Sequence, residues 1–167
     1  MIKIFFFILF FSLFFFNKVY ACNLKVIKLE TNIQNFSDKY FVFVEDKAFK
    51  NIILDGQYIC NDKDFLSTQI FLRFFEEQLI GITFERVANN DRKLLDYAIR
   101  NFGDFTRSLG FEKNSWIGTY QWKNQNDLVV YEAKRINSNL SKEILVISNK
   151  INSPKIIEHQ RIKNLKN

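Results

Sequence analysis

Two apolar alternations on either side of a short acidic turn constrain this chain more than any other feature. In Thr68 to Phe75 the even positions Ile70, Leu72 and Phe74 are apolar, and in Leu79 to Val87 so are Ile80, Ile82 and Phe84. Strand side chains alternate between faces with period two, so each set lines one face of a sheet. A three-residue loop of Glu76, Glu77 and Gln78 pairs Phe74 with Ile80, Leu72 with Ile82 and Ile70 with Phe84. A two-residue loop would throw the two apolar sets onto opposite faces. The expected unit is therefore an antiparallel hairpin with Glu76 and Glu77 at its solvated tip.

The same period returns further on. Ser115 to Trp122 and Asp127 to Lys134 flank Lys123-Asn124-Gln125-Asn126. With that loop, Trp116, Gly118, Tyr120 and Trp122 share a face with Asp127, Val129, Tyr131 and Ala133, and Gly118 lies opposite Tyr131. Leu24 to Leu29, Tyr40 to Val44 and Glu143 to Ser148 are β-rich runs. Asp55-Gly56 between Ile52-Ile53-Leu54 and Tyr58-Ile59-Cys60 reads as the turn of a short hairpin. One segment changes period: Leu94, Leu95, Ala98, Ile99 and Phe102 form the stripe of a helix over about 91–102. Asn90 or Asp91 is expected to cap its start and Gly103 to take the left-handed position at its end, with Asp96 and Arg100 as an i,i+4 pair. The resulting fold class is α+β, an antiparallel sheet with one main helix packed on a face. The alternative is an all-β sandwich with an accessory helix.

The N-terminus is of a different kind. Met1-Ile2-Lys3 leads into an apolar run from Ile4 to Phe16 broken only by Ser12, and Val19-Tyr20-Ala21 follows. A cationic start, a short apolar stretch and a small residue at the end are the parts of a secretory signal peptide. The run has no polar face for a core helix. At roughly 20 Å it is also short of a ~30 Å bilayer core. Cleavage after Ala21 gives three segments: a signal peptide over 1–21, one domain over 22–149, and a basic C-terminal tail over 150–167, with no transmembrane span in the mature chain. The expected location is periplasmic or extracellular.

Cysteine usage refines this. Cys22 and Cys60 are the two cysteines of the chain, and an even count in an exported protein reads as a disulfide. Val19-Tyr20-Ala21-Cys22 also resembles a bacterial lipoprotein signal, which would anchor the protein through Cys22, although Tyr20 stands where such signals carry a small residue. A lipidated Cys22 would leave Cys60 an odd thiol, so the disulfide is the preferred reading.

Charge is unevenly spread. From Cys22 to Ala133 there are 14 Lys and Arg against 16 Asp and Glu; from Lys134 onward there are 8 against 2. A basic end can bind anionic lipid or nucleic acid. After Tyr131, however, the chain has no Trp, Tyr or Phe for base stacking, and nucleic acid is not favoured.

Few catalytic groups are available. His159 is the single His, in the basic tail, where a solvated surface role is the default. No metal-ligand spacing, Walker motif or dinucleotide fingerprint occurs, so no metal and no cofactor is expected. Glu76, Glu77, Glu85, Asp91, Asp96, Asp104 and Glu132 supply carboxylates in number, but their spacing singles out no pair, and no catalytic residue is assigned. Arg73 and Arg86 interrupt apolar strands and are read as rim or edge positions. Trp116, Tyr120, Trp122 and Tyr131 are the possible binding face, with a core role as the simpler reading of an aromatic face on a central strand. The functional reading is an exported, non-catalytic module that binds a protein or envelope component. A small carboxylate-dependent hydrolase and adhesion through the basic tail are the alternatives.

Overall fold

The computed structural model describes residues 27–58, 65–89, 91–109, 118–123, 126–150 and 152–164. Eight strands form one antiparallel sheet, not two facing ones: β1 (Val42–Val44), β2 (Phe49–Asp55), β3 (Thr68–Phe75), β4 (Gln78–Ala88), β5 (Arg107–Leu109), β6 (Gly118–Lys123), β7 (Asp127–Arg135) and β8 (Ser141–Asn149). Their order is β1-β2-β3-β4-β8-β7-β6-β5. The sheet is thus two four-stranded meanders joined where β4 pairs with β8. Among the described residues three α-helices accompany it: α1 (Gln34–Ser37), α2 (Lys93–Phe102) and α3 (Ser153–Asn164). The architecture is β-rich and broadly α+β. No helix among the described residues is long and apolar enough to cross a membrane.

The first hairpin keeps its expected apolar face by an unexpected route. Ile70 pairs with Phe84 and Leu72 with Ile82, but Phe75 pairs with Gln78 and Phe74 with Leu79. The turn therefore has only the two residues Glu76 and Glu77, both at positive φ (47° and 69°), as a tight hairpin turn requires. Non-glycine residues are strained there. The turn is held by the Glu76 N–H bonding Ala48 O at 2.9 Å, the Ile33 N–H bonding Glu77 O at 2.8 Å, and a Lys50–Glu77 ion pair. Parity is restored between Arg73 and Phe74, where the register shifts and Ile80 becomes the extra residue of a bulge. Without it, Gly81 and Thr83 would face the core. Ile80 itself joins Phe49 and Phe75 in a separate small cluster on the opposite face.

The second hairpin is offset by two residues from the expected register. Gly118 pairs with Ala133, Tyr120 with Tyr131 and Trp122 with Val129, so Gly118 does not lie opposite Tyr131. An even shift preserves the faces, and Tyr120, Trp122, Val129, Tyr131 and Ala133 all line the core. The Asp55-Gly56 hairpin does not form. Asp55 ends β2, which pairs with β1 and β3, and Gly56–Tyr58 is a single 3-10 turn. Gly56 is needed there because a Cβ would sit 2.3 Å from the Phe65 carbonyl oxygen. Of Leu24 to Leu29 the described residues 27–29 are not strand.

The main core lies on one face of the sheet. It includes Ile52, Leu72, Phe84, Trp122 and Leu145, and is covered by Leu94, Leu95, Tyr97 and Ala98 of α2 and by Ile27, Ile33 and Phe36 near the N-terminal end. Full burial of each large side chain stabilises by about 1.5–3 kcal/mol. Helix α2 begins at Lys93, later than expected, and Ile99 of the expected stripe is 37% exposed while Tyr97 is buried. Gly103 has the expected positive φ and donates its N–H to Ile99 O. Arg100 bonds the Asp96 carbonyl oxygen through its guanidinium.

Much of the basic end is helical, and no residue of that helix is fully buried. In α3, Pro154 occupies the first turn, where its missing N–H costs no bond. Ile156 packs against the Phe49/Phe75/Ile80 cluster. His159 is half-buried on this helix: its ring meets the Phe49 and Phe75 rings edge-on at 5.5 and 5.6 Å, and its Nε2 lies 3.5 Å from Asp46. Lys163 bonds the same carboxylate at 3.0 Å.

Candidate functional site

The most concentrated chemistry lies on the core face, where β4, β7 and β8 meet the start of α2. Alternation places Arg86 of β4 and Glu143 of β8 on that face as directly paired residues. Neither is at a rim or an edge, because β4 and β8 are the two central strands. Arg86 is 6% exposed and Glu143 is fully buried. A charge in such a place must be paired. The Arg86 Nη1 donates to Glu143 Oε2 at 3.0 Å and to Asp91 Oδ1 at 2.6 Å, and Nη2 donates to Asp91 Oδ2 at 3.2 Å. The Tyr131 hydroxyl donates to the other Glu143 oxygen at 2.8 Å.

The cluster also solves a helix problem. Of the expected caps, Asn90 lies outside the described residues and Asp91 is not the cap; the residue before α2 is Arg92, which makes no side-chain cap. Asp91 is engaged by Arg86 instead. The Leu94 N–H in the first turn of α2 bonds the Glu143 carboxylate, so a strand from the other meander satisfies a donor the helix leaves open.

Burial pushes the Glu143 carboxyl above the usual range, against the lowering effects of Tyr131, Arg86 and the Leu94 N–H. Burial, then the neighbouring Glu143 charge, pushes the Tyr131 phenol up. A raised carboxyl in a cleft is a hallmark of acid–base chemistry. Here its oxygens face internal donors and no acidic partner stands free beside it, since both Asp91 oxygens face Arg86. A metal ion would have to displace the guanidinium, and among the described residues no group of three His, Cys, Asp or Glu side chains gathers to hold one. Among the described residues, Thr68 Oγ1, Arg86 Nε and Ser141 Oγ are buried without a hydrogen-bond partner.

The aromatic residues form the wall beside this cluster. Tyr120, Trp122 and Tyr131 are 8, 1 and 1% exposed. Their rings pack at an angle, with Tyr120–Tyr131 centroids 6.0 Å apart and tilted and Phe105 meeting Trp122 edge to face at 6.2 Å. The indole N–H of Trp122 bonds Gly103 O at 2.8 Å and fixes the end of α2 against β6. Trp116, Cys22 and Cys60 lie outside the described residues. Among the sequence candidates, Glu76 and Glu77 are at a turn tip, and Glu85 and Glu132 are on the opposite face, so the structure brings none of them together with Glu143. Glu143 was missed because it stands beside Lys142 at the head of an apolar strand, where a charged pair reads as a solvated strand end. Its parity with Leu145 and Ile147 was the available signal.

The other face of the sheet is organised by rows. Strand pairing sets Ile53, Phe71, Thr83, Val146, Val130 and Gln121 side by side across six strands. One neighbouring row carries Asp55, Gln69, Glu85, Ile144, Glu132 and Thr119, and the other Asn51, Arg73, Gly81, Ser148, Leu128 and Lys123. Arg73 is not a rim residue but part of this face, 4.7 Å over the Phe49 ring and paired with Glu45. Ile53 is 44% exposed, and Phe71, Val146 and Val130 are half-buried. Comparison with protein-family models, curated proteins and solved structures gave no match.

Proposed function

We propose that this chain is an exported, non-catalytic binding module. It comprises a signal peptide over 1–21, an α+β domain over 22–149 with α2 packed on one sheet face, and a basic segment over 150–167. The observation that carries the reading is the row Ile53–Phe71–Thr83–Val146–Val130, apolar but for its central threonine, on the face opposite the core and bordered by mostly polar and charged rows. An apolar strip with a charged border is the layout of a protein-binding patch. The cluster that most resembles catalytic machinery argues the same way, because Arg86, Asp91 and Glu143 are engaged with one another. The basic segment is also partly spent internally, through Lys163 and His159 on Asp46 and Arg161 on Glu158. The partner expected is a protein of the cell envelope presenting a complementary apolar ridge.

The test is a photo-crosslinking residue at Ile53, compared with one at Arg100 on the exposed side of α2, in protein expressed in its own envelope. A single saturable adduct from Ile53, absent from Arg100 and lost in Val130→Lys, supports the reading. Equal labelling from both positions, or an adduct that survives Val130→Lys, refutes it.

A further inference from the structure

We propose that helix α3 is a releasable strap. Docked, it covers one end of the outer sheet face; released, it opens the Phe49, Phe75 and Ile80 cluster to the same protein partner that reads the apolar strip. This deepens the binding reading above and rests on it. The seat of α3 and the strip share a face. Phe49, Asn51 and Ile53 alternate along β2, and Phe75, Arg73 and Phe71 stand opposite them on β3. Only the Asn51–Arg73 pair separates the covered Phe49–Phe75 pair from the open Ile53–Phe71 pair. The Arg73 guanidinium lies 4.7 Å over the Phe49 ring and bridges that gap. The covered residues Phe49, Phe75 and Ile80 are buried, whereas Ile53 is exposed and Phe71 half-buried.

The hold of α3 on this seat is shallow. Ile156, His159 and Lys163 stand at i, i+3 and i+7, along one edge of the helix. Ile156 packs on the cluster, the His159 ring meets Phe49 and Phe75, and His159 and Lys163 converge on Asp46. No residue of α3 is buried. Its other isoleucines, Ile157 and Ile162, are 64 and 43% exposed, whereas a helix that draws its stability from packing turns its apolar residues inward. A helix of 12 residues is marginal by itself in water, and partly exposed ion pairs add little and are screened by salt. Undocking and unwinding of α3 are therefore one event, well below the cost of unfolding the sheet. The Lys150 N–H on Asn126 O fixes the start of the link from β8 independently of α3. A partner reading Ile53 and Phe71 competes with α3 for the neighbouring Phe49–Phe75 pair, so each disfavours the other.

Two measurements on the full chain test this. In native-state amide exchange, Ile157 to Asn164 should open as one unit, faster than β7 and β8. Lys163→Glu sets a like charge beside Asp46 and should speed that opening about fivefold, while Lys163→Arg stays close to the parent. The urea midpoint should be unchanged in both. The second measurement repeats the photo-crosslinking in the envelope with the probe at Ile53 or at Ala48, which packs against the covered cluster. Lys163→Glu should raise the initial rate of adduct formation severalfold at both positions, and both should capture the same protein. Helix amides that exchange only together with those of β7 and β8 overturn the strap and leave the binding reading standing. So does faster helix exchange with an unchanged Ile53 adduct, or an Ala48 adduct to a different protein. Absence of an Ile53 adduct in parent and variant alike removes the binding reading, and the strap's partner with it.

Discussion

Truncating Trp122 to Ala tests whether the aromatic face is a scaffold or an open platform. The indole is 1% exposed, packs against Phe105, pairs across the hairpin with Val129 and bonds Gly103 O. Removing a buried Trp costs about 3–5 kcal/mol through lost transfer energy and an unfilled cavity. The lost N–H bond falls at the low end of about 0.5–1.5 kcal/mol, because Gly103 is exposed and water can replace the donor. With a urea m-value of roughly 2 kcal/mol per molar, a loss of about 4 kcal/mol lowers the unfolding midpoint by about 2 M. Such a loss is a large share of the 5–15 kcal/mol typical of a domain. Far-UV circular dichroism in urea, parent beside variant, reads the change directly. Trp122→Phe should recover most of it, since it keeps much of the apolar volume and gives up the N–H. An unchanged midpoint in Trp122→Ala would refute the reasoning and show that the indole contributes no packing.

The Arg86 cluster gives two further tests. Arg86→Met leaves Glu143 buried without its cation and should cost about 3–5 kcal/mol; Arg86→Met with Glu143→Leu should be clearly more stable than the single variant, as measured by urea midpoints. The raised Glu143 carboxyl holds its proton to higher pH in the folded state than in the unfolded one. Its contribution is therefore present below the ordinary glutamate range and declines as pH rises from there through the raised native value; Glu143→Gln should flatten that part of the stability–pH curve, with no flattening counting against the assignment. Asp46 has the opposite sign: the Phe49 N–H, then Lys163, hold its carboxyl well below the usual range. Its stabilising effect is present above the ordinary aspartate range and is lost as pH falls toward the native value, and Asp46→Asn should speed amide exchange across Ser153–Asn164 while sparing the exchange of β7 and β8.

Much of the fold was written in periodicity. Pairing of Ile70 with Phe84 and of Leu72 with Ile82, the core stripe Leu94–Leu95–Ala98 and the positive φ at Gly103 follow from rules acting within a few residues, which a sequence displays directly. The inward face of Tyr120, Trp122 and Tyr131 was legible for the same reason, because alternation survives an even shift of register. The turn at Glu76-Glu77 was not. Positive φ at two glutamates is locally unfavourable and is sustained by Ala48, Ile33 and Lys50, all distant in sequence. The compensating bulge at Ile80 then depended on a second apolar cluster, which takes the extra side chain on the other face.

The candidate site divides along the same line. Sequence by itself determined that the chain has a single His, that an apolar run from Ile4 to Phe16 precedes β-rich segments, and that the C-terminal end is basic. It left Arg86, Asp91, Tyr131 and Glu143 as unrelated residues, because Arg86 and Glu143 become neighbours only when β4 pairs with β8 and closes two meanders into one sheet. That pairing spans 57 residues, beyond the reach of any local period. The same closure brought Val146 and Val130 into one row with Ile53, Phe71 and Thr83 and left β1 at the edge. Local pattern decides which way a side chain points. Only the order of strands decides what it points at, since that order minimises exposed apolar surface over the whole chain at once.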